Sequence, residues 1–373
     1  MIEYLPVNEP LLGGNELKYV EECIRTGWIS SEGPFVNEFE NKFAKYVDRK
    51  YGIAVSNGTA ALDIALASLH IGPGDEVIIP TFTIISCMSQ VLRSGAKPVF
   101  VDCDPVTLNV RSADIEKAIS QKTKAIIIVH IYGLPVDLDP ILSLARSHSV
   151  PVIEDAAEMH GQTYNGKKCG SFGVMSTFSF YANKNITTGE GGMIVTDDEE
   201  LREKCVSYRN LCFRPQERFI HDDLGWNYRL TNIQAAIGLA QLERIDDIIE
   251  RRRQIGRYYH EAFKKVDIFE CPLTHTKYAD NIYWIFGLRL SARSGLTPKV
   301  IMSLLASKGI GSRPFFYPLH LQPVLKKYGF KKQNSLRNAE AAYDTGFYIP
   351  CGLSITVKQQ ERVITALMDI VNK

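Results

Sequence analysis

Ala125-Ile-Ile-Ile-Val129, then Leu138 to His148, then Val150-Pro-Val-Ile-Glu-Asp155 is the stretch that decides the fold of this chain. The first run is β-branched and apolar at every position except Ala125, the mark of a strand covered by helices on both faces. The middle segment reads as a helix, and the third run returns as a strand. Strand, helix and strand in that order make a βαβ unit, because parallel pairing needs a long crossover. The rhythm extends towards the N-terminus. Tyr51–Ser56, Glu76–Pro80 and Pro98–Asp102 read as strands, separated by a helix bearing Leu62, Ala65, Leu66 and Leu69 and by a helix over Ser86–Ser94. Ser112–Ile119 adds another helix. Ahead of them, Asn15 is placed to cap a helix from Glu16 to Arg25, and Phe35, Phe39 and Phe43 recur at four-residue steps in a helix over Phe35–Val47. The expected architecture is α/β, an open and mostly parallel sheet with helices on both faces. In such sheets ligands collect beyond the carboxyl ends of the strands.

The pattern changes after Thr196. Leu230 to Tyr259 reads as one helix, with Ile237, Leu239, Leu242, Ile245, Ile248 and Ile249 apolar among charges. From about Asp267 a new segment begins, with a strand over Tyr283–Leu290, a helix over Pro298–Lys308 and a terminal helix from Val357. These features divide the chain into a large domain over residues 1–250 and a smaller C-terminal α+β domain over 251–373. The length of 373 residues suits two domains. Hydrophobic residues at 45% and charged residues at 23% exclude disordered and fibrous classes. A net charge of +1 supplies no field for nucleic acid or an anionic membrane, so neither is an expected partner. No apolar run is long enough to span a bilayer, and the first fifteen residues carry Glu3 and prolines in place of a secretory signal. The eight cysteines are scattered without a CxxC pair, which predicts reduced, mostly buried thiols, no metal site and a cytoplasmic setting.

Three segments after strand-like runs carry chemistry. Ser56-Asn-Gly58-Thr59-Ala-Ala-Leu62 is a strand, a turn and a helix start, whose free amides and dipole favour a phosphate. Taken alone it is equally an efficient βα turn. Glu154-Asp155-Ala-Ala-Glu158-Met-His160-Gly161 clusters titratable groups among small residues that leave room for a flat ring. A lone Asp there more often caps a helix; in this cluster Asp155 is placed to keep a pyridine nitrogen protonated. Ser179-Phe-Tyr-Ala-Asn-Lys184-Asn-Ile-Thr-Thr-Gly189-Glu-Gly191-Gly192-Met193 sets a lysine between a strand and a glycine-rich turn. Most lysines are solvated surface residues. An amine held in a cleft, however, condenses with an aldehyde to an imine, the entry to pyridoxal phosphate chemistry.

These stretches, in this order, resemble the DegT/DnrJ/EryC1/StrS family of nucleotide-sugar aminotransferases. Further matching runs are Pro80-Thr-Phe-Thr83, His130-Ile-Tyr-Gly133, Gly225-Trp-Asn227-Tyr-Arg229 continuing to Ala236, and Tyr317-Pro-Leu-His320-Leu-Gln-Pro323. The resemblance runs over nearly the whole chain. It implies fold type I, with a mixed, mostly parallel seven-stranded sheet, and pyridoxal 5′-phosphate as cofactor. It implies that Lys184 bonds the cofactor and shuttles a proton, that Asp155 pairs with the pyridinium nitrogen, and that Glu158 lies near the phenolic oxygen. Gly58, Thr59 and the Ser179 hydroxyl are then the phosphate cradle. Asn227 reaches the phosphate of the neighbouring subunit in a homodimer with shared sites. Arg229 and His320 match positions on the sugar-nucleotide side, and Trp28, Ser30, His160 and Arg313 complete the expected substrate-binding set. The chain departs from the family at Ile84, where many members carry an aromatic that stacks on the cofactor; Ile84 or Phe82 supplies that contact here.

The resemblance further implies amino transfer from glutamate to a nucleotide-linked keto-deoxysugar in surface-polysaccharide biosynthesis, such as that of an O-antigen. Gly27-Trp-Ile-Ser-Ser31 and Glu158 match most nearly the 4-aminotransferases of the GDP-perosamine synthase type. The alternative within the family is a 3-aminotransferase on a dTDP- or UDP-linked 3-keto sugar. A pyridoxamine-dependent sugar dehydratase carries histidine in place of the lysine. A non-catalytic regulatory homologue would be favoured by loss of Lys184 or Asp155, and both are present. A dinucleotide-dependent enzyme would need a GxGxxG turn after its first strand, which is missing.

Overall fold

The computed structural model describes residues 3–214, 216–331 and 334–372. Helices α1 (Glu16–Thr26) and α2 (Pro34–Tyr46) lead into β1 (Tyr51–Val55) and α3 (Gly58–Ser68). The alternation continues through β2 (Glu76–Pro80), α4 (Ile85–Arg93), β3 (Lys97–Val101), α5 (Ser112–Ala118), β4 (Thr123–Val129), α6 (Leu138–Ser147) and β5 (Val152–Asp155). A two-residue hairpin, β6 (Thr163–Tyr164) and β7 (Lys167–Lys168), precedes β8 (Met175–Ser179) and β9 (Gly192–Thr196). The order in the seven-stranded sheet is β1-β9-β8-β5-β4-β2-β3. All neighbours pair in parallel except β9, which runs antiparallel to both β1 and β8. The mostly parallel sheet flanked by helices is therefore present.

The strand period explains why the sheet is covered twice. Ala125, Ile127 and Val129 of β4 enter one apolar cluster, whereas Ile126 and Ile128 enter the other. Ile53 and Val55 against Ala54, and Val77 and Ile79 against Ile78, repeat the split. Each strand thus faces two cores, and its carboxyl end is the place where side chains reach open space. The first of these cores continues into the C-terminal part of the chain, through Phe286, Leu288, Ile301 and Phe347.

After β9 come α7 (Glu199–Arg209), α8 (Asn232–Leu242) and α9 (Ile245–Phe263). The single helix read over Leu230–Tyr259 is thus two. Thr231 starts α8 with a capping box to Gln234, and the chain leaves helical geometry at Arg244, against whose side chain Gly13 and Gly14 pack. α9 runs unbroken across residue 250, so the division expected there falls inside a helix. A four-stranded antiparallel sheet follows, in the order β10 (Phe269–Glu270), β11 (Phe286–Leu290), β13 (Gly346–Ile349), β12 (Arg313–Pro314). Helices α10 (Pro298–Ser307), α11 (Arg337–Thr345) and α12 (Val357–Val371) accompany it. The strand read from Tyr283 begins only at Phe286, because Tyr283 takes a positive φ of 51° with its amide donating to Asn281 Oδ1 at 2.6 Å. Asn15 does not cap α1 with its side chain. Its amide donates to Glu243 at 2.8 Å instead, and the Gly14 N–H is taken by Glu16 at 2.7 Å.

Beneath the sheet edge, Glu154 is fully buried and accepts from His130 Nε2 (2.9 Å), Gly170 N (2.6 Å), Phe172 N (3.0 Å) and Ser176 Oγ (2.8 Å). His130 Nδ1 accepts from Val136 N at 2.9 Å, so Nε2 bears the proton it gives to Glu154. Cys169 lies beside this pair, its thiol held protonated by burial. His130 and Glu154 already have their hydrogen-bonding capacity engaged by protein, the pattern of a structural network. Glu154→Ala is expected to destabilise the protein by about 3–5 kcal/mol, since four donors lose a buried acceptor. Urea unfolding of the cofactor-free protein measures it; a loss below about 1 kcal/mol would contradict the structural role.

Candidate active site

β1, β5 and β8 end at the same edge of the sheet, and the turns that follow them build a cavity of about 730 Å³. At one end lies the start of α3. Asn57 Oδ1 caps the helix by accepting from Ala60 N at 2.8 Å, which leaves the Gly58 and Thr59 amides without intrahelical acceptors. A Cβ at Gly58 would lie 2.8 Å from Ser179 Cβ, and one at Gly192 would lie 2.5 Å from the Asn57 carbonyl carbon. Only glycine lets the end of β8 close against the helix start, and the result is a shallow cradle of amides with the Ser179 hydroxyl beside it.

The floor is acidic. Asp155, the last residue of β5, is 4% exposed; its Oδ1 accepts from Ala157 N at 3.1 Å and its Oδ2 from Cys87 Sγ at 3.4 Å. Glu158 is 6% exposed and accepts from Tyr132 N at 2.6 Å. Burial raises both carboxyls, Glu158 to about 8, while the neighbouring Lys184 amine opposes the rise. Lys184 follows a turn closed by its amide on Tyr181 O at 2.9 Å. Burial depresses its amine below the usual value, and Glu158 and Asp155 oppose that shift. Two buried acids thus face one amine, an excess that a protonated ring nitrogen would balance. Thr177 Oγ1 is buried on the same wall without a partner among the described residues. An amide cradle for a phosphate, an acid at the sheet edge for a ring nitrogen and an amine between them are the donor set that pyridoxal phosphate requires.

The structure brings together on the cavity wall Gly58, Thr59, Ile84, Asp155, Glu158, Ser179 and Lys184. The other expected residues lie elsewhere. Phe82 is fully buried, edge-on to Tyr132 at 5.8 Å, so of the two candidates for the ring contact only Ile84 faces the cavity. His160 lies behind the wall, its ring 5.3 Å from Phe178 and 5.5 Å from Phe180. His320 is buried too, with Nδ1 2.7 Å from Thr81 Oγ1 and Nε2 3.1 Å from Glu340. Arg313 is exposed on β12, opposite Tyr348. Trp28, Ser30 and Asn227 are exposed away from this chain's own cavity, and Arg229 Nε donates to Asn227 Oδ1 at 2.9 Å. Among the wall residues that escaped the sequence reading as site residues are four aromatics, Tyr132, Trp284, Phe316 and Tyr348. Only Tyr132 had a signal, in the run His130-Ile-Tyr-Gly133; the other three arrive from the C-terminal sheet and its loops.

Fold and site together define a fold type I aminotransferase that uses pyridoxal 5′-phosphate. The profile of the DegT/DnrJ/EryC1/StrS aminotransferase family matches residues 10–368, and the chain belongs to that family. It is 44% identical over 363 residues to a GDP-perosamine synthase of Caulobacter vibrioides, covering 97% of each chain. It is 45% identical over 323 residues to a GDP-perosamine synthase of Escherichia coli O157:H7, covering 87% of each. Among solved structures, Spr1654 of Streptococcus pneumoniae in its PLP form superposes with a TM-score of 0.93 at 27% identity, covering 99% of each chain.

Burial pushes the His160 imidazole down to about 3, with the nearby Lys184 amine adding to the shift. Below pH 6.5 the unfolded chain therefore takes up a proton that the folded one refuses, and stability falls as pH drops from 6.5 towards 3. His160→Phe, which fits the aromatic surroundings, is expected to flatten that part of the decline. Thermal midpoints across this pH window test it; an unchanged slope would exclude a buried neutral His160.

Proposed function

We propose that this enzyme transfers an amino group from glutamate to C4 of a GDP-linked 4-keto-deoxysugar. The observation that carries the reading is the Lys184 amine on the wall of a large cavity with Asp155, Glu158 and an amide cradle around it. The GDP-linked sugar rests on the relatives named as GDP-perosamine synthases. A role in polysaccharide assembly, a cytoplasmic setting and a homodimer with shared sites belong to the same reading. No helix among the described residues is long and apolar enough to cross a membrane. Support for the dimer comes from large apolar side chains standing in solvent, with Leu224 86% and Phe219 83% exposed, and from Asn227 lying outside its own chain's cavity.

Each residue has a task in this mechanism. The Gly58 and Thr59 amides and the Ser179 hydroxyl bind the phosphate. Asp155 holds a proton at the ring nitrogen, and Glu158 orients the phenolic edge. Ile84 supplies an apolar face for the ring. Pyridoxal phosphate, when bound, supplies the electron sink that lets a hydrogen on the amine-bearing carbon leave as a proton. Lys184 Nζ takes that proton from glutamate, and in the second half of the cycle gives a proton to the sugar carbon that receives nitrogen. Burial keeps a fraction of the amine uncharged and able to act as a base.

Lys184→Ala is expected to lower turnover by about 10²–10⁴-fold or more. Retention of wild-type turnover would reject the proton shuttle. In mixtures of Lys184→Ala and Asn227→Ala subunits, one site of each mixed dimer keeps both residues, so part of the activity should return. No recovery despite proven subunit exchange would remove Asn227 from the neighbouring site. Offered glutamate and a panel of nucleotide-linked 3-keto and 4-keto sugars, the enzyme should aminate the GDP-linked 4-keto sugar, read by the product mass. Amination of a 3-keto dTDP or UDP sugar alone would move it to the other branch of the family.

A further inference from the structure

The amine of Lys184 contacts neither carboxylate on the floor at ion-pair distance among the described residues. Its specific partner is an aromatic face: Nζ lies 4.1 Å from the centre of the Trp284 ring. Trp284 is 5% exposed, so water does not compete strongly for this contact. Its orientation is set twice. The indole Nε1–H donates to Asn183 O at 3.1 Å, so the ring is tied to the residue immediately before the lysine. Tyr132 stacks against it at 6.3 Å and 29°, and Phe316 stacks on Tyr132 at 5.2 Å and 27°. The approach is possible because Gly133 lacks a side chain: a Cβ there, at a φ of 112°, would lie 2.9 Å from Trp284 N and 2.7 Å from Tyr283 N. The loop at 281–284, which belongs to the C-terminal part of the chain, is thereby brought down onto the lysine.

We propose that Trp284 is a catalytic residue that docks the protonated amine of Lys184 on its indole face whenever that amine is not bonded to the cofactor. The proposal rests on the reading of Lys184 as the cofactor-bonding lysine. The amine would leave its covalent partner in the first half of the cycle and return to it only at the end of the second; in between it must carry a proton and stay within reach of the same carbon. Pairing with Asp155 or Glu158 would pull it to the floor and neutralise the acid that the ring nitrogen needs. A π face attracts the cation without offering a proton acceptor, and the Nε1–H bond makes the dock move with the lysine's own loop. The groups that face the amine are Asp155 and Glu158 from the end of β5, His160 behind them, and the Tyr132 and Tyr348 phenols across the cavity. The acids favour the ammonium, burial disfavours its charge, and the indole adds a favourable term that Leu cannot supply.

The test is run on cofactor-free protein, so it reads the amine and not turnover. Trace acetylation of Lys184 across a pH series, scored by peptide mass spectrometry, gives its titration in the wild type, Trp284→Leu and Trp284→Phe. Trp284→Leu keeps the site apolar but loses the π face, so the Lys184 midpoint should fall by about one pH unit. Trp284→Phe, with a weaker face, should fall by less. An unchanged midpoint in both variants, or an equal rise in both, which reports only water entry, overturns the proposal. Should Trp284→Leu fail to fold by circular dichroism, the Phe variant alone decides by the presence or absence of a downward shift. Spectral uptake of pyridoxal phosphate by the wild type tests the underlying reading separately. Uptake with unshifted titrations rejects the dock alone, and no uptake rejects both.

Discussion

Glu154 and Asp155 are adjacent carboxylates at the end of β5, and the two-residue period of a strand sends them to opposite faces of the sheet. Neither can reach bulk water. Glu154 has a complete set of protein donors, a histidine, a serine and two loop amides, and these tie the segment at 170–172 to the strand. Asp155 has one amide and one thiol, which satisfies it only in part. The same residue type, one position apart, is structural on one face and poised for a cationic partner on the other. The rest of the site is arranged around the second: Glu158 follows in the turn, and Lys184 comes back from the next strand to face both acids.

The loop that carries Lys184 is held from distant parts of the chain. Asn183 O accepts from Trp284 Nε1 and, at 3.3 Å, from Asn8 Nδ2. Asn185 Oδ1 accepts from Arg252 Nε at 3.0 Å, and Asn185 Nδ2 donates to His160 O at 3.2 Å. Arg252 is buried, gives a further hydrogen bond to Cys351 O, and has no carboxylate partner among the described residues; burial depresses its guanidinium below the ordinary value. Burying an unpaired cation costs several kcal/mol, a penalty that the packing of α9 against the C-terminal segment has to offset. His160 is explained by the same layer: it supports the lysine loop through its backbone carbonyl and fills the space between Phe178 and Phe180.

Much of the cavity wall was legible in the sequence. Gly58, Thr59, Asp155, Glu158, Ser179 and Lys184 each follow a strand whose apolar run is unmistakable, and a parallel sheet brings strand ends together without further instruction. Ile84 was legible as a departure, since an aliphatic side chain stands on the wall where an aromatic was anticipated. The rest of the wall was far less legible. His160 sits in a motif full of site residues yet points away from the cavity, because the residues after β5 turn and the local pattern carries no information on which way. Trp284, Phe316 and Tyr348 lie outside the motifs, each more than a hundred residues beyond Ser179. The break at Arg244 was hidden for a related reason: the helical period continues through it, and only packing against Gly13 and Gly14 marks the turn.

Alternating apolar runs and crossover helices determine the sheet, its two cores and the edge at which chemistry takes place, because strand period and chain connectivity are local properties. The glycine, acid and lysine motifs add the kind of cofactor, because each holds a chemical group at a strand end. Tertiary structure decided what surrounds the amine of Lys184. Its aromatic dock, the neutrality of His160 and the buried Arg252 beneath its loop depend on contacts between segments far apart in sequence. Burial then shifts the proton affinities of Glu158 and Lys184 towards each other, and desolvation of that kind exists only once the chain has closed around them.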